Sequence, residues 1–517
     1  MSEEFLNPQV NQQLVSQLLS EAELVKAEGL VNQAIRQNRP IVIHGDYDVD
    51  GICATAILWE TLYRRLNYPL VRPLIPHREK HGYGISTASL QEVKKVSRSL
   101  SVQPPLLITV DCGISSAKEL EKFRHDGGQV ILTDHHLPPA RLPSVDALLH
   151  TTELSGAGVA WLLSARLLNS SAEEFLELVS LATVADCVPL TGYNRGLVAE
   201  GLKILSQTAR PGLQELYQLA KIDGKEFTPY HLGWLIGPRL NASGRLGHAL
   251  DSLRLLATHN RDLARQLAQH LEELNSRRQD LTMQATSQAE KMVDTEMQNI
   301  LVLTHSDWPE GIIGLIAAKV TEKFFLPSLA ISQKEEVSKG SARSIKGFNI
   351  VDFLHQADDL LIGCGGHAMA AGFSLRTKHL DEFRQRVQEL GQKETSLRES
   401  KPVLKIDLEL ELPQAGLELV DLLKKLEPHG IGNPSPVFAS RQVRAFNIRT
   451  VGSDGRHLKL NLQDPETGTA ISAIGFSLGH LNQEINEGES VDVAYQLEEN
   501  DYFELPSVEA KIKDIRK

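Results

Sequence analysis

Cysteine is scarce in this chain of 517 residues, which contains only Cys53, Cys112, Cys187 and Cys364. The four residues lie far apart in the sequence and form no Cys-x-x-Cys pair. Structural zinc sites and disulfide frameworks both depend on cysteines at recognisable spacings, so neither is indicated. We expect free thiols that are mostly buried, because unpaired cysteine behaves as a small apolar residue.

Long apolar runs are also missing. No stretch is long enough to cross a bilayer. The start of the chain, Met1 to Phe5, is acidic and lacks the basic and then apolar regions of a secretory signal. The sequence therefore predicts a cytoplasmic protein that does not enter a membrane.

Basic charge is in deficit, since 54 lysines and arginines face 66 aspartates and glutamates, which gives a net charge of −12. Proteins contact nucleic-acid phosphates with lysine and arginine, so this balance argues against a broadly basic surface. Carboxylates that hold metal ions would account for part of the excess, because bound cations offset their charge. Any contact with nucleic acid must therefore be a local basic groove.

Short apolar runs alternate with helical patterns in the first third of the chain. Pro40–Ile43, Leu106–Val110 and Val130–Thr133 are typical of buried strands, and Ile52–Leu66 is typical of a helix. Strands separated by helices predict a parallel sheet with helices on both faces. In such sheets ligands bind beyond the carboxyl ends of the strands.

The middle of the chain predicts a helical connector and then a second α/β unit. Ala249–Asp294 is rich in Leu, Ala, Gln, Arg and Glu and has no proline or glycine, which predicts one or two long helices. A strand at Ile300–Leu303 and a helix at Ile312–Phe325 follow. This second unit then reaches a glycine-rich segment, Gly363-Cys364-Gly365-Gly366-His367.

The last part of the chain favours strands. A polar linker is predicted near Gly391–Lys401, and Val403–Glu411 then alternates apolar and polar residues as a half-buried strand does. Val443–Leu462 has a hairpin signal at Ser453-Asp454-Gly455, and Val491–Leu497 is another strand. These strands predict a small β-barrel.

A dense group of charged residues directly follows the first predicted strand. His44, Asp46, Asp48 and Asp50 fall within seven residues of one another. Three carboxylates this close repel one another unless cations lie among them. A calcium EF-hand loop also begins Asp-x-Asp-x-Asp-Gly, but it needs a glutamate at its twelfth position, where this chain has Ile57. A calcium loop is therefore excluded.

Acidic and histidine residues also follow the other strands of the predicted sheet. Asp111 ends the second strand, Asp134-His135-His136 ends the third, and Asp186 lies on an apolar helical stretch. Any one of these could cap a helix or pair with an arginine, but the ends of parallel strands meet at one edge. Asp and His ligands without cysteine suit Mn²⁺ or Mg²⁺. Two such cations can bind a phosphate and activate water, so hydrolysis of a phosphoester is favoured.

The order of these motifs resembles the DHH phosphoesterase superfamily, which is named for a triplet like Asp134-His135-His136. Longer motifs that cover nearly the whole chain resemble the RecJ-type single-strand-specific exonucleases within that superfamily. These motifs are Gly82-Tyr83-Gly84, Gly237-Pro238-Arg239-Leu240-Asn241-Ala242-Ser243-Gly244-Arg245, Gly340-Ser341-Ala342-Arg343-Ser344 and Gly365-Gly366-His367-Ala368-Met369-Ala370-Ala371-Gly372.

The resemblance implies an α/β fold with four segments. A parallel-sheet DHH catalytic domain would occupy residues 1–248, and a long helical connector residues 249–298. A smaller α/β DHH-associated domain that binds substrate would occupy residues 299–392. An OB-fold β-barrel that binds nucleic acid would occupy residues 402–517. The extra C-terminal domain of longer relatives is expected to be absent.

The resemblance also implies a reaction at two Mn²⁺ or Mg²⁺ ions. Activated water would attack phosphorus and expel the 3′ oxygen of the terminal nucleotide, so that single-stranded DNA is digested from its 5′ end to 5′-mononucleotides. His136 would touch the scissile phosphate, and Asp46 would support the ligands or bind an ion weakly. The implied metal ligands are His44, Asp48, Asp50, Asp111, His135 and Asp186, and the implied catalytic residues are His136, Asp46, Asp111 and His135.

The substrate contacts implied by the resemblance lie mostly in motifs rich in small residues. Ser341 and Arg343 would hold the 5′ end, and Arg78 and Arg239 would hold the strand. The implied substrate-binding residues are Arg78, Arg239, Asn241, Arg245, Ser341, Arg343, Gly365, Gly366 and His367. In the barrel, Arg444, Arg449, Arg456 and Lys459 would supply charge, and Phe438, Phe446 and Tyr495 are the candidates for stacking on bases.

Other implications concern partners, and two alternative functions stay open. The resemblance implies work in DNA repair and recombination on single-stranded DNA, with a helicase and a single-strand-binding protein as partners, and a monomeric state. One alternative is a superfamily phosphodiesterase for short oligonucleotides or cyclic dinucleotides, and the other is a non-catalytic replication scaffold. Two positions depart from the family pattern: Pro309 follows Trp308 where a histidine is usual, and His81 stands where an acid is common.

Overall fold

The structure is a computed structural model that describes residues 5, 8, 10, 15, 17–82, 84–222, 224, 226–294, 298–394, 397, 401–452, 454–500 and 506–517. Tyr83, Ser453 and the acidic start Met1–Glu4, which entered the sequence-based predictions, lie outside these residues. The chain divides into two compact units. One contains residues 1–15, 187–203 and 403–517, and the other contains residues 16–186 and 204–402. The finer division into four segments stays a prediction.

A five-stranded parallel sheet lies in the larger unit, in the order β2-β1-β3-β4-β5. β1 and β3 are buried along their whole length, which explains why Val, Ile and Leu predominate in them. The predicted parallel sheet is therefore confirmed. Its strands are β1 (Ile41–Gly45), β2 (Val71–Leu74), β3 (Leu106–Val110), β4 (Gln129–Asp134) and β5 (Ala147–His150).

Seven helices in residues 17–186 accompany this sheet, counted over the described part of that range. The predicted helix at Ile52–Leu66 is confirmed, because a π-helical segment, Glu60–Arg65, continues α2. A short 3₁₀ turn at Glu173–Phe175 leads into α7. The helices are α1 (Glu21–Arg36), α2 (Val49–Trp59), α3 (Arg78–His81), α4 (Thr87–Arg98), α5 (Ala117–His125), α6 (Gly156–Leu168) and α7 (Leu176–Ala185).

A run of helices follows in the larger unit and includes the predicted connector. The longest, α12, has 30 residues and begins where Asn260 accepts a hydrogen bond from the Leu263 N–H over 3.0 Å. A π-helical segment, His231–Ile236, leads directly into α10. These helices are α9 (Pro211–Ala220), α10 (Gly237–Leu246), α11 (Leu250–Ala257) and α12 (Arg261–Glu290).

A second five-stranded sheet completes the larger unit, in the order β6-β7-β8-β10-β9. β6 and β7 are parallel, and the other neighbours are antiparallel. The 3₁₀ turns Asp358–Leu360 and Thr377–His379 precede β9 and α15. The other elements are β6 (Leu301–His305), α13 (Ile313–Phe324), β7 (Ser328–Ser332), β8 (Val337–Arg343), α14 (Ile350–His355), β9 (Leu361–His367), β10 (Ala370–Arg376) and α15 (Leu380–Lys393).

The smaller unit contains a barrel. β12 pairs with both β13 and β15, and this second pairing closes the strands on themselves around an apolar core. The 3₁₀ turns are Leu412–Gln414 and Gly479–Gln483. The other elements are α8 (Gly192–Leu205, in this unit to Lys203), β11 (Leu408–Glu409), α16 (Leu417–Lys424), β12 (Phe438–Val451), β13 (His457–Gln463), β14 (Ala470–Gly475), β15 (Ser490–Asn500) and β16 (Ser507–Arg516).

Several sequence-based predictions for this end of the chain need correction. Only Leu408–Glu409 of the predicted strand Val403–Glu411 pairs, and residues 401–409 are exposed, because no described residue of this unit covers their apolar side chains. The predicted linker begins too early, since α15 continues to Lys393. Phe438 and Tyr495 are only 3% and 0% exposed. They belong to the barrel core, so the prediction that they stack on bases is wrong.

The thiols are less uniformly buried than expected. Cys53 and Cys112 are buried, whereas Cys187 is exposed and Cys364 is half-buried. Within the described part of the chain, none of the helices is both long and apolar enough to traverse a membrane.

Candidate metal centre

The segment between β1 and α2 places four titratable side chains at the carboxyl edge of the parallel sheet. His44 is the fourth residue of β1 and is fully buried, and Asp46 follows the strand. Asp48 is the N-cap of α2, where its carboxylate accepts a hydrogen bond from the Gly51 N–H over 3.1 Å. Asp50 lies in the first turn of the same helix. Acidic residues are favoured here because unpaired N–H groups and the helix dipole stabilise negative charge.

Asp50 is held by the start of a second helix. Its two carboxylate oxygens accept hydrogen bonds from the N–H groups of Gly156 and Ala157, each over 2.6 Å. Asp111 follows β3 in a left-handed conformation with φ of 59° and packs against the same turn. A Cβ on Gly156 would lie 2.6 Å from the Cβ of Asp111, so only glycine fits there.

The role of Gly156 was missed by sequence reasoning. The available signal was Ser155-Gly156-Ala157-Gly158, which is a capping serine followed by small residues, and Ser155 does cap α6. That signal predicts a helix start but not which carboxylate the helix holds, because Asp50 is 106 positions away.

His135 lies among three carboxylates. Its Nε2 atom is 3.0 Å from Oδ1 of Asp111 and 3.5 Å from both Oδ2 of Asp50 and Oδ2 of Asp186. Asp186 lies close to His135 because it directly follows the last residue of α7. Three groups of side chains each bring three possible ligand atoms within 4.8 Å of one another. They are Asp111, His135 and His136; Asp50, His135 and Asp186; and Asp46, Asp48 and Asp111.

The electrostatics of this cluster fit divalent cations. Burial first, and then repulsion from Asp48 and Asp50 respectively, raise the pKa values of Asp46 and Asp186 to about 8. Burial and the neighbouring carboxylates raise the pKa of Asp111 well above its usual range. Oδ1 of Asp111 and Nε2 of His135 are buried and lie 3.0 Å apart, but not in the geometry of a hydrogen bond, and the structure gives neither atom another hydrogen-bond partner among the described residues. Buried acceptors without donors, next to repelling carboxylates, are the arrangement that metal ions stabilise.

His44 belongs to the same region but not to those three groups. Burial lowers the pKa of His44 to about 4, so the imidazole is neutral, as a metal ligand must be. Its Nε2 atom is buried without a hydrogen-bond partner in the described structure, and Sγ of Cys112 lies 3.7 Å from its Nδ1 atom. Its assignment as a ligand stays a prediction.

Asp134 holds His136 at the edge of the cluster. Nδ1 of His136 donates to Oδ1 of Asp134 over 2.8 Å, and the Ile114 N–H donates to Oδ2 over 2.8 Å. Burial works against a charged imidazole, but the bond and charge of Asp134 outweigh it and raise the pKa of His136 to about 9. Sequence reasoning assigned no role to Asp134, although its place in the named triplet was the available signal.

Two predicted substrate residues, on α3 and α10, flank the loop between β1 and α2 that contains Asp46 and Asp48, which we call the metal loop because it carries predicted ligands. The Arg78 guanidinium stacks over the Tyr47 ring at 4.0 Å, and its Nε donates to the Gly244 carbonyl over 3.3 Å. Nη1 of Arg245 donates to the Gly311 carbonyl over 3.0 Å. Arg245 therefore joins the metal loop region to the segment before α13.

Ser341 and Arg343 lie beside the N-terminus of α13. They alternate along β8 with the buried Gly340 and Ala342, so they face the same side of the strand. A Cβ on Gly314, in the first turn of α13, would lie 3.1 Å from Oγ of Ser341 and 3.3 Å from Nη2 of Arg343. A hydroxyl, a guanidinium and a helix N-terminus at one place can together bind an anion.

Two other predicted substrate residues have partners within the protein. Nε of Arg239 donates to Glu272 over 2.5 Å, and Nη1 donates to the Leu235 carbonyl over 2.7 Å. Asn241 accepts a hydrogen bond from the Val49 N–H over 3.2 Å, which ties α10 to the start of α2. These contacts give both side chains a structural role, and their predicted contacts with substrate stay predictions.

The remaining predicted residues lie on β9, an exposed strand at the edge of the second sheet. Gly366 has φ of 144°, and a Cβ there would lie 2.2 Å from the Ala370 carbonyl oxygen. Gly365 faces open space. Burial first and the charge of Arg343 second lower the pKa of His367, which places His367 within electrostatic reach of Arg343.

Comparison with known proteins agrees with this architecture. The DHH family N-terminal domain matches residues 40–184, the DHHA1 domain matches residues 297–393, and the RecJ OB domain matches residues 406–514. The single-stranded-DNA-specific exonuclease RecJ of Thermus thermophilus is 34% identical over 96% of this chain and 71% of its own length. The chain belongs to the RecJ family. The RecJ of Bacillus subtilis is 32% identical over 95% of this chain, which spans 63% of that relative's length.

Among solved structures, Thermus thermophilus RecJ in complex with Mn²⁺ matches with a TM-score of 0.84 and 31% identity, over all of this chain and 74% of that one. The predicted α/β architecture with a C-terminal OB fold is therefore confirmed, as is the resemblance to RecJ-type proteins. At both positions that depart from the family pattern, the structure shows contacts with neighbouring residues. Trp308 is buried and stacks on His305 at 5.7 Å just before Pro309, and His81 accepts a hydrogen bond from the His77 N–H over 2.9 Å.

Proposed function

We propose that this protein is a metal-dependent exonuclease that digests single-stranded DNA from its 5′ end to 5′-mononucleotides, in DNA repair and recombination. The observation that carries the proposal is the buried centre in which carboxylates of Asp50, Asp111 and Asp186 surround Nε2 of His135. Family membership supports the substrate, since the relatives are named single-stranded-DNA-specific exonucleases.

The proposed ligands of the metal ions are His44, Asp48, Asp50, Asp111, His135 and Asp186. Bound Mn²⁺ or Mg²⁺ would neutralise phosphate charge and make a nearby water more acidic. The chain holds two of these carboxylates in place through backbone hydrogen bonds that do not depend on the ions. Asp50 is held by two N–H groups of α6, and Asp48 is held by the start of α2. Such fixed ligands favour hard cations that accept oxygen and imidazole donors.

His136 is proposed to act on the scissile phosphate. With its pKa raised to about 9, the imidazole carries a proton at neutral pH, and Nδ1 is already committed to Asp134. We propose that the Nε2–H group faces the substrate. It would donate to a phosphate oxygen and then deliver a proton to the departing 3′ oxygen. The buried Asp46 is proposed to support the neighbouring ligands.

The polarity of digestion follows from the proposed binding site for the 5′ end. Ser341, Arg343 and the N-terminus of α13 would hold a terminal phosphate. Arg245 lies within electrostatic reach of both Asp48 in the metal loop and Arg343. An anion site that is continuous with the metal loop would admit a strand whose 5′ end comes first.

Three other assignments stay predictions. They are helicase and single-strand-binding-protein partners, a monomeric state and a cytoplasmic location. A phosphodiesterase for short oligonucleotides or cyclic dinucleotides is the second candidate, because the same metal chemistry would serve it. The OB-fold barrel favours the long substrate, since such barrels bind single strands.

The test is product analysis on single strands of DNA and RNA labelled at either end, with Mn²⁺ or Mg²⁺. The expected result is early release of the 5′ label as a mononucleotide, while the 3′ label stays in long products. Asp111→Asn protein should release neither label. Early release of the 3′ label, or equal competition by a dinucleotide and a long strand, would refute the proposal.

A further inference from the structure

The thiol of Cys112 contacts both the ring and the backbone of His44. Its Sγ atom lies 3.7 Å from Nδ1 of the imidazole and 3.7 Å from the His44 carbonyl oxygen. Cys112 is 2% exposed and His44 is fully buried. A thiol is both a weak donor and a weak acceptor, so the S–H group can donate to the carbonyl while the sulfur accepts from Nδ1–H. One side chain therefore contacts His44 at two points.

The left-handed turn at Asp111 brings Cys112 to this position. β1 and β3 are neighbours, and His44 lies opposite Thr109. In a straight strand Cys112 would lie about 10 Å beyond Thr109, because each residue advances about 3.3 Å. Asp111 has φ of 59°, and the chain then folds back, so that a Cβ on Gly113 would lie 3.2 Å from Oγ1 of Thr109. The same turn thus places a carboxylate in the cluster and a thiol against His44.

The contacts of His44 indicate which ring nitrogen carries the proton. Besides its contact with Cys112, the ring makes a hydrogen bond to the carbonyl of its own residue. The Nε2 atom is buried and has no hydrogen-bond partner in the described part of the chain. A proton on Nδ1 satisfies these acceptors and leaves a lone pair on Nε2, which is the form in which an imidazole binds a metal ion. A proton on Nε2 would instead bury a donor without an acceptor.

We propose that Cys112 is a positioning residue, which fixes the ring orientation and tautomer of His44 so that Nε2 is available to bind a metal ion. This inference rests on the proposed function, in which His44 is a ligand. Ligating histidines commonly donate their second ring N–H to a neighbouring group, and loss of that group weakens metal binding. Cys112 itself is in none of the three groups of possible ligand atoms among the described residues.

A purely structural role for Cys112 makes a different prediction. Cys112 also packs in an apolar cluster with Val42 and Leu132. If packing were its whole role, its substitution would change metal binding by the same factor with or without the His44 imidazole. A positioning role makes the effect depend on His44. A double-mutant cycle between Cys112 and His44 measures this dependence.

The test measures Mn²⁺ binding to the full chain by calorimetry, without DNA. Cys112→Ala should weaken Mn²⁺ binding by about tenfold. Cys112→Ser should lose less affinity, because a hydroxyl keeps a donor and an acceptor. In a His44→Ala background, Cys112→Ala should cause little further loss, since there is no imidazole left to position.

The matched control is Cys53→Ala. Cys53 is also a fully buried thiol, on α2, and the described structure shows no hydrogen bond between it and a proposed ligand. This variant should bind Mn²⁺ as the parent does. If Cys112→Ala folds poorly, Cys112→Val takes its place in the cycle, because valine fills the space but makes no polar contact.

A second measurement follows the imidazole nitrogens directly. Pulsed electron paramagnetic resonance of bound Mn²⁺ detects coupling to the nitrogen of a histidine ligand. At saturating Mn²⁺, Cys112→Ala should change the nitrogen signal in the same direction as His44→Ala does. Cys53→Ala should keep the parental signal.

Either of two results would overturn the inference: a parental Mn²⁺ affinity in Cys112→Ala, or an equal loss of affinity in the parent and His44→Ala backgrounds. Both results leave the proposed function standing if His44→Ala itself weakens Mn²⁺ binding. A His44→Ala protein that binds Mn²⁺ as tightly as the parent would instead refute His44 as a ligand, and this inference with it.

Discussion

The imidazole of His136 and the carboxylate of Asp134 lie 2.8 Å apart, and Asp134 also accepts the backbone N–H groups of His135 and His136 over 2.8 and 3.1 Å. One carboxylate therefore fixes the turn that carries both histidines and the orientation of the second ring. The backbone bonds set where the turn lies, while the side-chain bond sets the charge of His136.

This relationship predicts the behaviour of Asp134→Asn. The amide can still accept a backbone bond, but it carries no charge to keep His136 protonated. We expect kcat on single-stranded DNA to fall by about tenfold to a hundredfold, as is usual when a residue that orients a functional histidine is changed. KM should change little, since the anion site is untouched. Steady-state kinetics with saturating Mg²⁺ check this, and a parental kcat would show that the bond is only structural.

Removal of metal should make stability fall as pH rises. The pKa values of Asp46 and Asp186 are raised to about 8, first by burial, from an ordinary value of 3.8. A raised folded-state pKa stabilises the protein fully below the unfolded-state value and loses that effect as pH rises through the folded-state value. In EDTA, the melting temperature should therefore drop between about pH 5 and about pH 9.

Added Mg²⁺ should restore stability, and more strongly at the upper end of this range. At a concentration about a hundredfold above its dissociation constant, a ligand contributes about 2.7 kcal/mol. Asp111→Asn should melt higher than the parent in EDTA and gain less from Mg²⁺, because it has one fewer repelling carboxylate and one fewer ligand. A Mg²⁺ effect that is the same at both ends of the range, or the same in Asp111→Asn, would contradict this account.

The parallel sheet could be predicted from the sequence because its physical cause is local. β1, β3 and β4 are covered on both faces, so each contains a short, mostly apolar run that leads into the acidic or histidine residues at its carboxyl end. The prediction of a strand at Val403–Glu411 was wrong because its cause is not local. Its alternation predicts one buried face, yet only Leu408 and Glu409 find a neighbouring strand, and a pattern does not say whether a partner exists.

The clustering of the acidic and histidine side chains could likewise be predicted, since the ends of parallel strands meet at one edge. What the pattern could not provide are contacts between distant segments. The ion pair of Arg239 with Glu272 joins two helices, and an arginine in a glycine-rich motif looks the same with or without it.

Gly156→Ala should damage the proposed metal centre without replacing any proposed ligand. The added methyl would lie 2.6 Å from Cβ and 2.9 Å from Oδ1 of Asp111, so Asp111 or the start of α6 must move. We expect weaker Mg²⁺ binding by about tenfold or more, as for changes that displace metal ligands.

Gly29→Ala is the matched control for this substitution. Gly29 lies inside α1, and nothing comes within 4 Å of a Cβ placed there. The control should stabilise the protein by about 0.5–1 kcal/mol and leave Mg²⁺ binding unchanged, because alanine favours a helix interior. Titration of Mg²⁺ followed by thermal melting measures both effects, and equal Mg²⁺ affinities in the two variants would refute the steric argument.

Arg210 should prove important for the stability of the larger unit, because it joins α2, which carries the proposed ligand Asp50, to α7, which the proposed ligand Asp186 follows. Its Nη1 atom donates to Glu60, on the continuation of α2, over 2.5 Å. Its Nε atom donates to Glu177 on α7. All three side chains are at most 10% exposed. Arg210→Met would leave two carboxylates buried without their cation, and breaking such a pair costs about 3–5 kcal/mol.

The matched control for Arg210→Met is Arg166→Met. Arg166 also pairs with two glutamates, Glu21 and Glu28, but its side chain is 36% exposed. Exposed pairs contribute about 0–1 kcal/mol, since water screens the charges and the side chains lose entropy. Urea unfolding followed by tryptophan fluorescence should show a large downward shift of the midpoint for Arg210→Met and a small one for Arg166→Met. Similar shifts of the two midpoints would mean that the buried ion pairs of Arg210 stabilise the protein no more than exposed pairs do. Apolar contacts alone would then hold α2 and α7 together.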